Sequence, residues 1–306
     1  MDVQVVTQLD PAPLSDLAAL LDRSEAADGH PALADPQRMA AAHPDLGGTG
    51  NRAVLAYDGA VLVGAAILSP TPHDTTAVHL ATDPDHRQGG SARDALITAA
   101  LDASAGPIHL WIMGATDADD AALAERGFQP ERDLLQMRVP LPLPAETVAS
   151  VRPVTTRAFI PGQDDEAWLT INNAAFAGHP EQGGWTLAQL HERLQAPWVD
   201  LEGFRVAPTP EGNGLIGSCW TKVHRQHRPV LGEIYVVSVD PARHGEGWGR
   251  ALTVDGLAWM TNQGVPVGML YTDASNTTAV GLYRSLGFTT HHLDRSYIHG
   301  AREHTG

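Results

Sequence analysis

The segment from Glu233 to Leu252 reads EIYVVSVDPARHGEGWGRAL. A run of β-branched residues ends at Asp240-Pro241, and a turn with glycine at every second position, from Gly245 to Gly249, then opens a helical pattern. A strand, a glycine-rich turn and a helix N-terminus form a cradle for a phosphate, because free backbone N–H groups and the positive end of the helix dipole meet there. The segment has neither the Gly-Lys-Ser/Thr of a P-loop nor the early glycine of a dinucleotide fingerprint. We call it the second cradle.

The same pattern occurs earlier in the chain, where residues 78–96 read VHLATDPDHRQGGSARDAL. We call this segment the first cradle. Five aligned pairs of positions share an offset of 157 residues, namely Asp83 and Asp240, Pro84 and Pro241, Gly90 and Gly247, Ala92 and Gly249, and Arg93 and Arg250. A further pair, Gly127-Phe128 and Gly287-Phe288, has an offset of 160 residues. Ordered matches at nearly one offset indicate an internal duplication of one α/β unit.

Composition restricts the class of protein. A length of 306 residues suggests about two domains, and 43% hydrophobic content without a long apolar run indicates a globular protein with no membrane span. The N-terminus MDVQVVTQLDPAP lacks the basic and apolar regions of a secretory signal, and the single cysteine, Cys219, fits a reducing cytoplasm. A net charge of −16 disfavours nucleic acid and anionic membranes as partners. These features favour a cytoplasmic protein. We also expect that it is a monomer and that its partner is a small-molecule substrate.

Hydrophobic periodicity predicts a similar order of elements in both halves. In the first half it predicts strands at Ala53–Tyr57, Val61–Leu68, Ile108–Met113 and Leu134–Val139, and one more strand that ends near Thr82. It predicts helices at about Gly90–Ser104 and Asp119–Arg126. In the second half it predicts helices at Asp164–Ala175, Trp185–Leu194, Gly247–Asn262 and Thr277–Leu286, with strands at Leu215–Val223, Glu233–Val239, Val267–Thr272 and about His292–Ile298.

These elements predict the fold class and the domains. Asp58-Gly59 between two apolar runs indicates a hairpin. The prolines from Pro140 to Pro144 hinder both helix formation and sheet pairing, so they indicate a linker. We predict an α/β (α+β) fold of two tandem domains, residues 1–140 and 151–306, with a linker at 141–150. Each domain is expected to be a mixed, mostly antiparallel sheet flanked by helices.

The second cradle resembles the acetyl-CoA pyrophosphate loop of the GNAT acetyltransferase superfamily. The resemblance rests on V-x-V-D-P followed by H-x-x-G-x-G, in which the first position, usually Gln or Arg in that superfamily, is His244. It implies that acetyl-CoA is the co-substrate and that both domains are GNAT-like. Backbone N–H groups do most of the phosphate binding in such a loop, so we expect the loop to tolerate His244.

Transfer of an acetyl group to an amine needs a base, donors for the thioester oxygen and an acid for the departing thiolate. Glu233 begins the strand of the second cradle, and Tyr283 lies just before Gly287-Phe288, where GNAT enzymes often carry the tyrosine that meets the CoA sulfur. The strand is expected to splay near Val239 and to leave backbone N–H groups free. At the two offsets, Glu233 aligns with Thr76 and Tyr283 with Leu123.

The copy comparison places catalysis in the second half, because the first copy keeps a cradle but lacks both proton-transfer groups. Taken singly, each residue has a simpler interpretation, since a glutamate can be a solvated strand residue and a tyrosine can be part of a core. The first copy either binds a second CoA or serves only as scaffold. Asn276 is first of all a helix N-cap, and it is also a candidate contact for the pantetheine arm.

Residues 172–186 read NNAAFAGHPEQGGWT and bring His179, Glu181, Gln182 and Trp185 close together in sequence. The simpler interpretation is a helix end with a turn. The alternative is a substrate loop that offers carboxylate and amide groups to a hydroxyl-rich ligand. Lys222 lies nearby in the motif WTKVH on an otherwise apolar strand, although a lysine that extends to solvent from a strand is common.

Together with the segments GEIYVVSVDP and YRSLGF, this loop and WTKVH resemble the mycothiol synthase family of tandem GNAT acetyltransferases. The resemblance covers nearly all of the second half, and the first half only through its layout, its cradle and a match near Asp35. It implies transfer of acetyl from acetyl-CoA to the cysteinyl amine of Cys-GlcN-Ins, giving mycothiol by direct attack in a ternary complex. It also implies that Glu233 is the base, acting through water, and that Tyr283 is the acid.

The resemblance further implies two sets of binding residues. The cysteinyl-sugar would be bound by Asp35, Glu181, Lys222, Glu233 and Tyr271. The CoA contacts of the second half would be Val237, Ser238, Val239, His244, Gly245, Glu246, Gly247, Trp248, Gly249, Arg250, Asn276, Thr277, Thr278, Ala279, Val280 and Gly281. The matching residues of the first half would be Leu80, Ala81, Thr82, Arg87, Gln88, Gly89, Gly90, Ser91 and Ala92.

No metal site is expected, because the fifteen histidines are scattered and lack carboxylate or cysteine partners at ligand spacing. Cys219 is expected in the core, since direct transfer needs no acyl-enzyme. Two alternatives stay open at this point. One is a GNAT acetyltransferase for another small amine, such as an aminoglycoside, and the other is a non-catalytic acyl-CoA sensor.

Overall fold

Alternating apolar residues form a hairpin in the first half of the chain, as the sequence predicts. β2 (Arg52–Asp58) and β3 (Val61–Thr71) pair antiparallel, and Gly59 turns the chain with φ at +62°, a left-handed conformation that glycine adopts without strain. The computed structural model describes residues 1–300 except 34, 47, 49, 72–74, 88–89, 178–182 and 213.

The other elements follow the predicted order, with additions at the N-terminus and before the strand that begins at Leu215. The first half contains β1 (Asp2–Val6), α1 (Pro11–Asp28), α2 (Asp35–Ala41), β4 (Thr75–Thr82), α3 (Ser91–Ala103), β5 (Ile108–Ile112), α4 (Asp117–Ala124) and β6 (Gln129–Pro140). The second half contains α5 (Ala145–Ala149), β7 (Arg157–Ala158), α6 (Asp165–Ala175), α7 (Leu187–Leu194), β8 (Phe204–Pro208), β9 (Leu215–His224), β10 (Leu231–Val239), α8 (Trp248–Asn262), β11 (Val267–Asp273), α9 (Thr277–Ser285) and β12 (Thr289–His299).

Packing divides the chain into two compact units, residues 1–134 with 292–306, and residues 135–291. In unit 1 the strands follow the order β1-β2-β3-β4-β5-β12, and in unit 2 the order β6-β11-β10-β9-β8-β7. β4 and β5 pair in parallel, as do β10 and β11, whereas β1 to β4, β5 with β12, and β7 to β10 form antiparallel ladders. The predicted mixed, mostly antiparallel architecture flanked by helices is confirmed.

The closing strands are distributed differently from the predicted domains. β12 belongs to unit 1 from residue 292 onward, and β6 belongs to unit 2 from residue 135 onward. The predicted boundaries at residues 140 and 151 stay a prediction, because duplication and packing need not divide a chain at the same residue. Within the expected linker the structure has the short helix α5, whose N-cap is Pro144.

The core of unit 1 follows from the period of two along its strands. Ala53 and Leu55 of β2 pack in one cluster with leucines of α1, whereas Val54 and Ala56 pack in another with Leu96 of α3. Both faces of this sheet are therefore covered by helices.

The core of unit 2 is aromatic on one face of the sheet. The rings of Phe204 and Trp220 stack at 4.2 Å between centroids, and Trp168 of α6 meets Trp220 edge-on at 5.9 Å. Elsewhere α8 approaches β9 closely at Gly256, where a Cβ would lie 2.5 Å from the sulfur of Cys219. Cys219 is fully buried in this packing.

Candidate functional site

Strand β10 separates from β11 halfway along its length. The parallel ladder joins only Leu231–Ile234 to β11, whereas the antiparallel ladder to β9 continues to Val239 with an irregularity between Ile234 and Val236. The N–H of Asp240 donates to the carbonyl of Ile216 at 2.9 Å, on the β9 side. Because N–H groups alternate in direction along a strand, those of Val237 and Val239 point to the side that β11 has left. Two backbone donors are thus available where β10 separates from β11, a place that we call the fork.

The second cradle follows the fork directly. The carboxylate of Asp240 accepts from the N–H of Ala242 at 3.0 Å, which starts a tight turn at Pro241–Arg243. Gly247 has φ at +83° and is the N-cap of α8, and as a glycine it has no side chain to cap this end. The first N–H groups of α8 are therefore directed outward with the positive end of the helix dipole, as an anion site requires.

The segments predicted to contact CoA in unit 2 converge here. A Cβ placed on Gly249 would lie 3.7 Å from Leu282 of α9 and 3.9 Å from Val239 of β10. Arg250 donates to the hydroxyl of Ser285, and also to that of Ser150 at 3.2 Å. No carboxylate pairs with Arg250 in the described part of the chain, so its charge remains available to a phosphate.

Two further features complete the cradle. Asn276 caps α9, as predicted, through its side-chain oxygen, which accepts from the N–H of Ala279 at 3.0 Å. Arg152, which the sequence did not indicate, places its guanidinium 3.4 Å from the centre of the Trp248 ring and donates to the carbonyl of Glu246 at 2.7 Å. His244 is exposed at the rim of the turn.

Glu233 lies within the paired part of β10, two residues before the irregularity in its ladder with β9. Its side chain is 10% exposed, and its Oε2 lies 2.7 Å from Nε2 of His224. Across the ladder, Glu233 is directly opposite Lys222. The simpler interpretation of Glu233 as a solvated strand residue is therefore wrong.

Lys222 is buried rather than extended to solvent. Its ammonium lies 5.0 Å from the centre of the Trp198 ring and 5.7 Å from that of Tyr235, which is cation–π geometry. Tyr271 follows the end of the β10–β11 ladder, and its hydroxyl accepts from Nε2 of Gln136 at 2.7 Å. The predicted substrate residues Lys222, Glu233 and Tyr271 thus lie on three adjacent strands, β9, β10 and β11.

Tyr283 is buried in α9, with its ring 5.8 Å from that of Phe288. Burial raises the pKa of the Tyr283 hydroxyl well above its usual value, so the phenol keeps its proton at neutral pH. Burial likewise raises the pKa of the Cys219 thiol, which makes Cys219 a poor nucleophile. Tyr283 is thus protonated, as a general acid must be.

The predicted substrate loop is closed at its base. The side chain of Asn173 accepts from the N–H of Trp185 at 2.9 Å and donates to its carbonyl at 2.8 Å. His179, Glu181 and Gln182, between these ends, lie outside the described residues. The backbone of Asp35 begins α2, but its side chain is likewise outside the described part.

In unit 1 the backbone of the first cradle repeats the fork. β4 pairs with β5 only as far as His79 but with β3 as far as Thr82, and the N–H of Asp83 donates to Val63 at 2.9 Å. By the same alternation, the N–H groups of Leu80 and Thr82 point to the side that β5 has left. Gly90, with φ at +68°, is the N-cap of α3. Gln88 and Gly89 lie outside the described residues.

The charges of the first cradle are already paired. Arg87 donates to both carboxylate oxygens of Asp28, at 2.5 and 2.7 Å, and to the hydroxyl of Ser24 at 2.9 Å. Although burial opposes it, this contact holds the pKa of Asp28 below its usual value. Arg93, the counterpart of Arg250, pairs with Asp119.

A cleft of about 300 Å³ remains beside these pairs in unit 1. Its lining includes His30, Asp28, Thr82, Arg87 and Trp111. The two positions aligned with the proton-transfer residues are Thr76, which is half-buried on β4, and Leu123, which is in the core. At these positions unit 1 therefore has no group that exchanges protons at neutral pH.

Two kinds of feature are absent from the described residues. Among them, no group of three or more His, Cys, Asp or Glu residues is arranged to hold a metal ion. Nor does any described helix have the length and apolar character needed to cross a membrane.

Comparison with known proteins adds relatives along the whole chain. The sequence model of the acetyltransferase (GNAT) family matches residues 166–288. A mycothiol acetyltransferase of Streptomyces avermitilis is 41% identical over 298 residues, covering 96% of this chain and 94% of the relative. The mycothiol acetyltransferase of Thermobispora bispora is 40% identical over 300 residues, covering 97% of this chain and 99% of the relative.

Solved structures share the fold at lower identity. A GCN5-related N-acetyltransferase from Sphaerobacter thermophilus superposes with a TM-score of 0.66 at 21% identity, covering 97% of this chain and 95% of the other. A tandem GNAT protein from the clavulanic acid biosynthesis pathway has the same TM-score at 18% identity, with 97% of each chain covered. Both halves of the sequence are thus included in these matches.

Proposed function

The chain belongs to the mycothiol acetyltransferase family of GNAT enzymes, and on that premise we propose how it makes mycothiol. As an N-acetyltransferase it transfers the acetyl group of acetyl-CoA to the cysteinyl amine of Cys-GlcN-Ins. The choice of site rests on the buried Glu233 of β10. Beyond Glu233, β10 separates from β11, which leaves the N–H groups of Val237 and Val239 free. Unit 2 is the catalytic unit in this proposal.

Acetyl-CoA would lie along the second cradle. The outward N–H groups at the start of α8, together with Arg250, are suited to the pyrophosphate. The free N–H groups of Val237 and Val239 are suited to the pantetheine arm and the thioester oxygen. The start of α9, at Asn276, forms the opposite wall of the arm in this arrangement.

The cysteinyl-sugar would approach from the side of β9 and β11. Lys222 and Tyr271 supply an ammonium and a hydroxyl for a ligand rich in hydroxyl groups. We assign Asp35 and Glu181 to the same ligand by family resemblance alone, because their side chains lie outside the described residues.

The reaction then needs one proton removed and one supplied. Glu233, acting through a water molecule, takes a proton from the cysteinyl ammonium, whose pKa in a free α-amine is about 8. The neutral amine attacks the thioester carbon, the oxygen accepts from the free backbone N–H groups, and the C–S bond breaks. Tyr283, whose raised pKa keeps its hydroxyl protonated at neutral pH, donates its proton to the leaving thiolate.

The first cradle has the backbone for a second acetyl-CoA but no base or acid at the aligned positions. We therefore assign residues 1–140 to a non-catalytic domain that binds acetyl-CoA and residues 151–306 to the catalytic domain. The paired Arg87 and Arg93 predict weaker CoA binding there than in unit 2.

The test combines purified protein, acetyl-CoA and Cys-GlcN-Ins and follows both products by mass spectrometry. Equal amounts of CoA and of Cys-GlcN-Ins acetylated on nitrogen are expected. Parallel reactions with free cysteine, GlcN-Ins and an aminoglycoside measure acceptor preference. Faster acetylation of any of these amines would overturn the assigned acceptor, and no transfer to any amine would overturn the activity itself.

A further inference from the structure

Glu233 has a partner that the sequence patterns did not single out. His224, at the end of β9, places its Nε2 2.7 Å from Oε2 of Glu233, and the two side chains are only 5% and 10% exposed. The pair is formed across neighbouring antiparallel strands, whose ladder puts His224 opposite Leu231, two residues from Glu233. The contact is therefore fixed by the sheet rather than by a mobile surface side chain.

The chemistry of the pair determines which atom carries the hydrogen. An ionised carboxylate only accepts hydrogen bonds, so Nε2 of His224 must carry the hydrogen in either charge state of the ring. Oε2 of Glu233 is therefore occupied by this bond. Oε1 has no hydrogen bond to another residue of the described part, which leaves it as the oxygen that can take up a proton.

A second physical reason gives this bond a function. A glutamate has three side-chain torsions, and a base must be held within a fraction of an ångström of its working position. Burial also disfavours a carboxylate that lacks a donor, because the charge loses its hydration. The fixed imidazole N–H of His224 both holds the carboxylate in position and replaces part of its lost hydration.

We propose that His224 is a positioning residue for the catalytic base, holding Oε2 of Glu233 so that Oε1 receives the substrate proton. The inference rests on the proposed role of Glu233 in acetyl transfer. His224 does not itself exchange a proton with the substrate, and its effect on the reaction passes entirely through the carboxylate.

Two substitutions at one position separate positioning from packing. His224→Leu fills the space without a donor, whereas His224→Gln keeps an N–H donor with a similar reach. We expect His224→Leu to lower kcat about ten- to a hundredfold, in the range found for partners that orient catalytic or metal-binding groups, with the KM for acetyl-CoA unchanged. His224→Gln should stay within about threefold of the wild-type kcat. As a control, His227→Gln changes a neighbouring histidine, whose ring lies 5.5 Å from that of His224, and should leave kcat unchanged.

A double substitution tests whether the effect passes through Glu233. If His224 acts only by holding that carboxylate, adding His224→Leu to Glu233→Gln should lower kcat no further. Additive losses, or equal losses in the Leu and Gln variants, would overturn the proposal. So would a parallel rise in the KM for acetyl-CoA, which a general loss of folding in unit 2 would cause.

A measurement without substrate keeps this inference separate from the proposed function. The ¹⁵N resonance of His224 Nε2 in the ligand-free protein should report a strong hydrogen bond that weakens in Glu233→Gln. If this signature is found but Glu233→Gln retains full activity, the proposed base is wrong although the contact is real. If the signature is absent, the positioning role is wrong whatever the activity.

Discussion

The two cradles have nearly the same backbone and different side chains. In each, the middle strand leaves its parallel neighbour and keeps its antiparallel one, an aspartate starts a tight turn, and a glycine with positive φ begins a helix. Leu80 and Thr82 occupy the places of Val237 and Val239. Because backbone N–H groups supply the expected cofactor contacts, this part of the proposed site depends little on residue type.

The side chains around the two forks have diverged in a specific way. Unit 2 has the buried Glu233 and the protonated Tyr283, and its Arg250 bonds only hydroxyl groups among the described residues. In unit 1 the corresponding arginine, Arg93, is paired with Asp119, as Arg87 is with Asp28. If the proposed site is right, cofactor binding depends mainly on the backbone path and the reaction depends on a few side chains.

The largest effect is expected at the base. Glu233→Gln keeps the shape of the side chain but removes its basicity, so we expect kcat to fall about a thousandfold. Binding of CoA, measured by calorimetry, should be unchanged because the cradle donors are untouched. The matched change in unit 1, Thr76→Val, should leave kcat at the wild-type value. A loss of less than about tenfold in Glu233→Gln would remove the main difference between the copies.

The second largest effect on kcat is expected at Tyr283, the proposed acid. Tyr283→Phe deletes the hydroxyl that we propose as the proton donor to the thiolate, and we expect kcat to fall about a hundredfold. Tyr297→Phe is the control, because that hydroxyl donates to Asp120 at 2.6 Å in unit 1. It should reduce the free energy of unfolding by about 1 kcal/mol without changing kcat. Equal effects of the two variants on kcat would contradict the assignment of Tyr283.

A third difference lies inside the first cradle, where His79 stands at the position aligned with Val236. Burial lowers the pKa of His79 to about 3. Between pH 6.5 and 3 the unfolded chain binds a proton that the folded chain does not, so stability falls as the pH is lowered through this range. At pH 5 the loss is about 2 kcal/mol.

His79→Val should remove this part of the pH dependence of unfolding, as measured by urea titrations at pH 6.5 and 5. The quantity compared is the change between the two pH values, which cancels the packing effect of the substitution itself. His43→Val, at an exposed position, should keep the wild-type pH dependence. If His79→Val keeps the wild-type change in unfolding free energy between the two pH values, the buried His79 does not cause that change.

A smaller effect is expected at the glycines that begin the two helices. Gly247→Ala and Gly90→Ala each place a Cβ at positive φ, which should cost about 1 kcal/mol of stability in either unit. Only Gly247→Ala should also raise the KM for acetyl-CoA, by about tenfold, because it displaces the N–H groups that we propose hold the reacting cofactor. Steady-state kinetics of both variants would test this. An equal rise in the KM of Gly90→Ala would show that the reacting CoA is not bound by the second cradle alone.

The smallest effect concerns the charge of the first cradle. Asp28→Asn frees the guanidinium of Arg87, so the affinity of unit 1 for CoA should rise about threefold, a size typical of an exposed ion pair. Calorimetry at high CoA concentration would resolve this weaker site. Asp16→Asn makes the same charge change on α1 away from Arg87 and should not alter the affinity. A lower affinity in Asp28→Asn would mean that the pair helps to build the site.

The sequence predicts those parts of this molecule that depend on local patterns. Alternation and turn residues located the hairpin at Asp58-Gly59, and the glycine spacing located both cradles and their helices. The helix after the substrate loop begins at Leu187, two residues later than predicted, because Thr186 and Gln189 form a capping box. β1, α1 and β8 were not predicted, since their short or irregular apolar patterns match neither period clearly.

Contacts between distant positions could not be read in the same way. Arg87 pairs with Asp28 across 59 residues, and the two residues belong to separate motifs. His224 could have been found from the register of β9 and β10, which places it on the same face as Lys222, but register depends on the whole hairpin. The environment of Lys222 depends on Trp198, which lies in a segment with no motif at all.

The distribution of the closing strands limits how the chain can be divided by an engineer. A gene fragment that starts at the predicted domain boundary, residue 151, would encode the whole second cradle but not residues 135–140 of β6, the strand next to β11. Gly268 of β11 lies so close to Val139 that an added Cβ would be 3.2 Å from it. Without β6, β11 would expose an unpaired and largely apolar edge, which favours aggregation. A soluble catalytic fragment should therefore begin before Leu135.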